Sequence, residues 1–495
     1  MYDVVIIGGG ITGTTIARSC ARKNLKTVLL EKSNDVANGT TKANSAIVHA
    51  GFDCIPGTNK ARTNVKGNRM YPALCRELDV PFQQNGSVVL AFTEEDRLHL
   101  EHLFAQGEQN GVPSLQILEQ TELRRMEPNV TKNAVAALYA PSAGIVGSYE
   151  LAIACMENAM DNGVELRLNH QVTAVEAKNG GYELVAGDEV IEAKTVVNCA
   201  GLYADEIDCL LHGESRYDIL PFAGEYNLFD QSTGNFTAAT VFQPPSEKGK
   251  GVVALPTVEG NYLVGPTSEG PKAKDDLRTT RKGLQELREK GMRAIPDFPF
   301  QKVITSFTGL RAKTSGGDFI IEDSEMHPGF ISAAAIDSPG LTAAPAIAEE
   351  ILEKLLAYFP DAGDNLSFTP YRRPVQRFIE APPLNKQEML AEDERFGRII
   401  CRCEAITEGD IVDMIHRHAG AETLDGVKRR IRAGAGRCQG GFCSPRVMEI
   451  LARELGREIT EIVKDGPDSY VLTGSTKAEQ TDFSPELVTA DEKGE

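Results

Sequence analysis

Four cysteines near the C-terminal end, Cys401 and Cys403 in CRC and Cys438 and Cys443 in CQGGFC, form a C-x-C then C-x4-C pattern of metal-ligand type. Two thiolates from each of two turns suit a [2Fe–2S] cluster, whose four coordination positions sit pairwise on two irons. Structural zinc is the competing chemistry, although zinc knuckles more usually repeat a C-x2-C-like spacing. Four free thiols are the bland alternative. At the other end of the chain, Gly8, Gly10 and Gly13 form GxGxxG directly after the apolar run 2–7, and Glu31 closes a second apolar run at 26–30. Glycines let the backbone approach a diphosphate at a helix N-terminus, and an acid at the second strand end accepts hydrogen bonds from the adenosine ribose. The fingerprint alone does not separate FAD from NAD. Taken together, the two motifs point to a flavin enzyme with its own iron–sulfur outlet.

These motifs need elements to position them. Run 2–7 reads as a buried parallel strand and 11–23 as a helix. Residues 147–162 have an apolar period near 3.6, through Leu151, Ala154, Cys155 and Met160, and lead to a strand at 164–168. A hairpin is expected from 182–186 and 190–193 around Gly187 and Asp188. From 217 to about 306 the pattern is strand-rich, and 337–358 reads as a loop followed by a helix. Pro370, Pro374, Pro382 and Pro383 mark a connector. In the cysteine-bearing region Thr407 can cap a helix over 408–418, and Pro445 can open one over 446–454. Fewer than about 60 residues are too few for a convincing core unaided, so a metal staple is expected there. The polar, acidic segment after Leu472 reads as loosely attached or disordered.

Composition narrows the function classes. At 495 residues the chain exceeds one ordinary core. A net charge of −19 argues against nonspecific nucleic-acid binding. Six scattered and four clustered cysteines are not a secreted disulfide framework, which favours a reducing cytoplasm. No basic leader precedes the first strand and no run of about 18 apolar residues is seen, so membrane association is expected to be peripheral at most.

The stretches GTTKANSAIVHAGFD (39–53), TVVNCAGLYAD (195–205), GEY (224–226), GLRAKT (309–314) and DSPGLTAAPAIA (337–348) resemble the D-amino-acid-oxidase superfamily of FAD enzymes. Within it the likeness is nearest to FAD-dependent glycerol-3-phosphate dehydrogenases and L-2-hydroxyglutarate oxidases, over roughly residues 1–360. Residues 399–455 resemble the bacterioferritin-associated-ferredoxin type of [2Fe–2S] domain, and the order of the two parts resembles the catalytic subunit of anaerobic glycerol-3-phosphate dehydrogenase. The resemblance implies an α/β fold with a Rossmann-like FAD-binding domain, an inserted mixed β-sheet substrate domain and a small C-terminal helical [2Fe–2S] domain. The expected division is an oxidoreductase over 1–368, with FAD-binding segments at about 1–90, 145–215 and 305–360 and the sheet mainly at 216–304. A linker at 369–397, a cluster domain at 398–458 and a tail at 459–495 follow.

The resemblance also implies flavin contacts at Thr40, Thr41, Asn44, Ser45, Val172, Ala200, Gly201, Gly309, Ser338, Gly340, Leu341 and Thr342, beside the fingerprint's Gly8, Gly10, Gly13 and Glu31. Oxidising a C–H bond needs an electron sink, a proton acceptor and, for an anionic substrate, a cation. Arg311 is the expected anchor, because a guanidinium meets phosphate or carboxylate in a bidentate fork, and Lys313 lies two residues on. His49 stands where the superfamily places a loop beside the isoalloxazine; it reads either as proton acceptor or flavin contact, or as a structural histidine. Glu225 and Tyr226 are substrate-pocket residues by resemblance. Cys54 reads as a small packed residue sooner than as a redox group. The basic residues Arg402, Lys428, Arg429, Arg430, Arg432 and Arg437 either favour the reduced cluster, dock an acidic electron partner or form a solvated face.

One departure bears on the substrate. Many glycerol-3-phosphate dehydrogenases place a GGK-type segment with a second basic phosphate ligand where this chain reads IDSPGLT, a form closer to the L-2-hydroxyglutarate group. The expected activity is FAD-dependent oxidation of a small anionic secondary alcohol, foremost sn-glycerol 3-phosphate, with electrons leaving through the cluster to a protein subunit or a quinone system. L-2-Hydroxyglutarate oxidation, amine or amino-acid oxidation, and a non-enzymatic electron-transfer module are the alternatives.

Overall fold

The apolar run Tyr2–Ile7 is the centre of an eight-stranded sheet, pairing in parallel with Thr27–Leu30 on one side and Glu189–Asn198 on the other. The structure is a computed structural model that describes residues 1–234, 236–244, 251–474 and 476. Strand Glu165–Arg167 extends the sheet beyond Thr27–Leu30, and Phe330–Ala334 extends it beyond Glu189–Asn198, both in parallel. Alternating side chains of the central strands feed two cores. Val4, Ile6 and Leu29 face helices Ile11–Ala21, Ser148–Asp161 and Gly340–Leu356. Val5, Ile7, Val28 and Leu30 face the antiparallel strands Val172–Lys178 and Gly181–Ala186. Strands covered on both faces read as continuous apolar runs for this reason. The hairpin around Gly187 and Asp188 forms in the expected register, Ala186 opposite Glu189.

A second, mixed sheet of eight strands lies over the first unit. It does not stay within 216–304. Strands Ser87–Ala91, Gln116–Glu119 and Ala136–Ala140 supply one edge, joined in parallel through Thr240–Phe242. Strand Val303–Lys313, expected among the FAD-binding segments, forms the other edge against Leu220–Phe229. Strands so far apart in sequence pair because each has one apolar face to bury, a pressure that local patterning does not localise.

In the C-terminal part, Thr407 closes a capping box at helix Glu408–Ile415, and helices Leu424–Ile431 and Ser444–Leu455 complete a three-helix unit. It does build a core, from Ile411, Val427, Ile431 and Leu451, with Val375 from the connector and Ile462 from beyond residue 458. The connector is no free tether: Arg372 is buried and donates to Glu157 Oε2 at 2.7 Å, while Arg417 donates to Oε1 at 2.9 Å. Most of the segment after Leu472 lies outside the described residues.

Besides Arg417, three basic residues of this unit, Arg429, Arg430 and Arg432, are buried and face the flavin-side unit. Asp35, 3% exposed, receives Arg430 in a fork at 2.7 and 2.9 Å and Arg429 at 2.8 Å. Burial alone would raise the Asp35 carboxyl, but the two guanidiniums outweigh it and hold it below its usual range. Arg432 donates to Glu404 Oε2 and to Asn261 Oδ1, each at 2.9 Å. The solvated-face reading is therefore wrong for all three: Arg429 and Arg430 are matched by Asp35 across the interface, and Arg432 by Glu404 within its own unit. Removing one partner of a buried pair leaves an uncompensated charge, so Arg430→Met is expected to destabilise the protein by about 3–5 kcal/mol in chemical denaturation. A loss under about 1 kcal/mol would show that this contact does not hold the two units together.

Candidate active site

The floor of the main cavity is laid by the first strand–helix turn. Gly9 N–H donates to Glu31 Oε2 at 2.6 Å, and Ser33 donates to Oε1 through its N–H and hydroxyl at 2.8 Å each. Gly13 lies beneath this turn, where a Cβ would stand 1.9 Å from Gly8 O, so only glycine permits the helix to pack so closely. Helix Ile11–Ala21 begins at Gly10 without a side-chain cap, and Ile11 N–H donates to Thr41 Oγ1 at 3.0 Å. Helix Gly340–Leu356 also starts without a side-chain cap, at Pro339, and its first residues line the same cavity. Uncapped helix N-termini are anion sites.

The cavity has a volume of about 950 Å³ and runs from Gly8, Gly10 and Glu31 past Thr40, Thr41, Asn44 and Ser45 to His49 and Arg311. Val172, Ala200, Gly201, Gly309, Ser338, Gly340 and Leu341 line it as well. Glycine-lined backbone, a ribose-height carboxylate and two open helix ends in one elongated space fit FAD with a small substrate beside it. Asn44 shapes the wall by folding its own loop: its Nδ2 donates to Thr41 O at 2.8 Å and its Oδ1 accepts from Ala46 N–H at 2.7 Å.

Strand Leu220–Phe229 shows why two neighbours in GEY part ways. Tyr226 faces the cavity, stacked on Phe307 at 4.9 Å, with its hydroxyl between Arg311 and Ser45. Burial pushes its phenol up. Glu225 points to the opposite face, as strand alternation requires. It is 3% exposed, accepts from Thr280 Oγ1 at 2.7 Å and Thr280 N–H at 2.9 Å, and anchors the start of helix Arg281–Ala294. The expectation of Glu225 as a pocket residue is thus corrected to a structural one. Thr342 likewise stands behind the wall, its Oγ1 accepting from His49 N–H at 2.9 Å and so fixing the His49 loop. Arg311 donates to Thr267 O at 3.0 Å, and Lys313 lies over the Phe222 ring at 4.4 Å. Sequence patterning does not single out Lys60 and Lys290, which also line the cavity, paired with Asp337 and Glu286 at 2.6 Å each. They come from helices with no recognisable motif.

The cysteine turns form a second site. Cys401 ends strand Ile399–Cys401, Cys443 caps helix Ser444–Leu455, and Cys403 and Cys438 lie in the turns between. The sulfurs are paired crosswise: Cys403 and Cys438 at 3.9 Å, and Cys401 hydrogen-bonded with Cys443. The Cys443 contact, with N–H groups of Gly434, Glu404 and Cys403, holds the Cys401 thiol below its ordinary range; N–H groups of Phe442 and Gly440 act on Cys438 in the same sense. Gly436 must be glycine, because a Cβ there would stand 2.3 Å from Cys403 Cβ. Among the described residues no three metal-ligating side chains surround a single ion position. Two sulfur pairs fed by N–H groups fit a two-iron cluster better than one tetrahedral zinc.

A cleft of about 840 Å³ beside Cys403 contains Glu150, from the first turn of helix Ser148–Asp161, with Glu259, Arg377 and Arg432. Burial, then the negative Glu259, pushes the Glu150 carboxyl up to about 7 against Arg377, Arg372 and Arg432. A raised folded-state value means the native protein binds the extra proton between the ordinary carboxylate range and pH 7, so stability falls as pH rises through that window. Glu150→Gln is therefore expected to raise stability at pH 8 by roughly 1–3 kcal/mol and to have little effect at pH 4, read from denaturation midpoints. Cys438→Ser is expected to abolish the visible cluster spectrum while FAD stays bound, because the cysteine turns lie outside the main cavity; loss of both would contradict two separate sites.

Comparison with known proteins supports both cofactors. Residues 3–354 match the family model described as FAD dependent oxidoreductase, and residues 399–453 match the BFD-like [2Fe-2S] binding domain. The chain is 50% identical over 479 residues to a glycerol 3-phosphate dehydrogenase of Caloramator mitchellensis, covering 97% of this chain and 100% of that protein. It is 27% identical over 406 residues to the mitochondrial L-2-hydroxyglutarate dehydrogenase of Arabidopsis thaliana, covering 72% and 83%. The solved L-alpha-glycerophosphate oxidase of Mycoplasma pneumoniae, with FAD bound, superposes with a TM-score of 0.71 at 28% identity over 75% of this chain and 98% of that one. The chain belongs to the FAD dependent oxidoreductase family and carries a BFD-like [2Fe-2S] binding domain at residues 399–453.

Proposed function

We propose that the protein is a dehydrogenase that oxidises sn-glycerol 3-phosphate to dihydroxyacetone phosphate and delivers the electrons through its [2Fe–2S] cluster to an external acceptor. The observation that carries this reading is the end-to-end likeness, at 50% identity, to a glycerol 3-phosphate dehydrogenase. Arg311 and His49 in one cavity support it.

FAD, when bound, supplies the acceptor for the hydride. Gly8, Gly10, Glu31 and the open helix ends would hold its nucleotide half, and the loop from Thr40 to Ser45 its wall. Arg311 binds the phosphate: Thr267 O fixes one edge of the guanidinium, which leaves further N–H donors for the anion. Lys313 adds a second positive charge along the same strand and replaces the absent GGK-type lysine. Tyr226, set between Arg311 and Ser45, orients the substrate by its hydroxyl. His49 takes the proton from the reacting hydroxyl; the bond from its N–H to Thr342 holds the loop that presents it. The stacked Tyr226–Phe307 pair and Phe242 keep water from this end.

The IDSPGLT segment favours L-2-hydroxyglutarate as a second reading, since a carboxylate also suits Arg311. Anaerobic addition of each compound, read as flavin bleaching, discriminates the two: bleaching by sn-glycerol 3-phosphate alone is expected, and bleaching by L-2-hydroxyglutarate alone overturns the proposal. Arg311→Met is expected to lower kcat/KM for the phosphate substrate by on the order of 10²-fold, mainly through KM. His49→Gln is expected to lower kcat by 10²- to 10⁴-fold with little change in KM. An unchanged kcat in His49→Gln would remove it as proton acceptor.

A further inference from the structure

The turn that supplies the second cysteine pair projects an aromatic side chain into water. Phe442 is 88% exposed, although its backbone N–H is bonded to the Cys438 sulfur and its neighbour Cys443 is buried. A Phe side chain left exposed forgoes roughly 1.5–3 kcal/mol of burial, and this one stands between two cluster-ligand cysteines, where an electron-accepting partner would meet it. Two cations lie beside the cluster cysteines in sequence. Arg402 stands between Cys401 and Cys403, and Arg446 lies on the first turn of helix Ser444–Leu455; both are exposed, and among the described residues neither makes an ion pair. Arg437 adds a third exposed guanidinium, forked on Asp230 at 2.9 and 3.0 Å. Glu449 is an exposed carboxylate one turn beyond Arg446. Cys403 and Cys438 are the less buried of the four cysteines. In a chain of net charge −19, the cysteine turns thus carry two exposed guanidiniums, Arg402 and Arg446, and an exposed ring.

We propose that this face, centred on Phe442 with Arg402 and Arg446, is the docking site of a small acidic electron-carrier protein, and that it sets which acceptor the enzyme serves. The inference rests on the proposed dehydrogenase reading for the source of electrons. Each turnover removes two electrons and two protons from the alcohol. Two oxidised one-electron carriers are each reduced by one electron, and the protons pass to solvent. The basic rim steers an acidic carrier and rejects a cationic one. The ring is the desolvated anchor.

Acidic flavodoxin serves as the probe. The chain contains no Trp, so flavodoxin Trp fluorescence reports binding to the holoprotein without a label. Binding at low salt that weakens steeply with ionic strength is expected. Arg402→Glu and Arg446→Glu should each weaken it at least tenfold at low salt and little at high salt. Phe442→Ser should weaken it about tenfold at both. The visible cluster spectrum and substrate-driven flavin bleaching serve as controls and stay as in the parent. If flavodoxin does not bind, if all three variants remain within twofold of the parent, or if anionic phospholipid vesicles bind through Phe442 in its place, the proposal is overturned. Failure of sn-glycerol 3-phosphate to bleach the flavin with flavodoxin binding intact would instead count against the substrate reading alone.

Discussion

The buried carboxylate of Asp35 between Arg429 and Arg430 is the contact on which the two-site arrangement depends. Asp35 belongs to the loop that follows Thr27–Leu30, the loop whose Ser33 steers Glu31 and whose Asn38 and Gly39 line the main cavity. Both guanidiniums come from the helix Leu424–Ile431, which leads into the second cysteine turn. A charge taken out of water tolerates few geometries, so the pairing fixes register more than it adds stability. Lys42, from the loop beside Thr41, extends the same seam through Asp465, which also receives Arg429. The nucleotide end of one site and the ligand-bearing turn of the other are thereby held on a common wall.

From this seam the remaining features follow in order. Helix Ser148–Asp161 lies against the flavin loop, with Ser148 Oγ donating to Thr41 O at 3.1 Å, and against the cluster unit through Glu157, which joins Arg372 and Arg417. Arg432 and Arg437 tie the cysteine turns to the ends of the mixed sheet through Asn261 and Asp230. The mixed sheet in turn presents Tyr226 and Arg311 to the cavity. Flavin wall, cluster turns and the sheet that carries the substrate anchor are therefore joined by polar contacts, buried at Asp35, Glu157 and Arg432 and exposed at Asp230. Such contacts reward a single arrangement, because a half-satisfied buried network costs more than an apolar one.

Local chemistry was legible in the sequence, and long-range pairing was not. Tyr2–Ile7, the glycine turn, Glu31, the Thr407 cap and the cysteine turns each declare themselves within a few residues, because a steric or bonding requirement fixes them there. The mixed sheet's use of Ser87–Ala91 and Ala136–Ala140 depends on partners far along the chain, which no local pattern names. Glu225 was misread because the GEY resemblance does not say which strand face each residue takes; the alternation that turns Tyr226 inward turns Glu225 away. Lys60 and Lys290 reach the cavity from ordinary amphipathic helices, and only the fold brings them there. Local pattern leaves Arg429, Arg430 and Arg432 open between cluster, partner and solvent, because Asp35 lies hundreds of residues upstream and Glu404 in the other cysteine turn.

The central claim is that one chain takes electrons from a small anionic alcohol in the main cavity and releases them through the cysteine-bound cluster. The most direct measurement is rapid anaerobic mixing of the holoprotein with sn-glycerol 3-phosphate, followed in parallel by flavin absorbance and by freeze-quench EPR of the cluster. The EPR signal of the reduced cluster is expected to grow in with flavin bleaching, within one turnover and without an added acceptor. Flavin that bleaches while the cluster stays oxidised would contradict it.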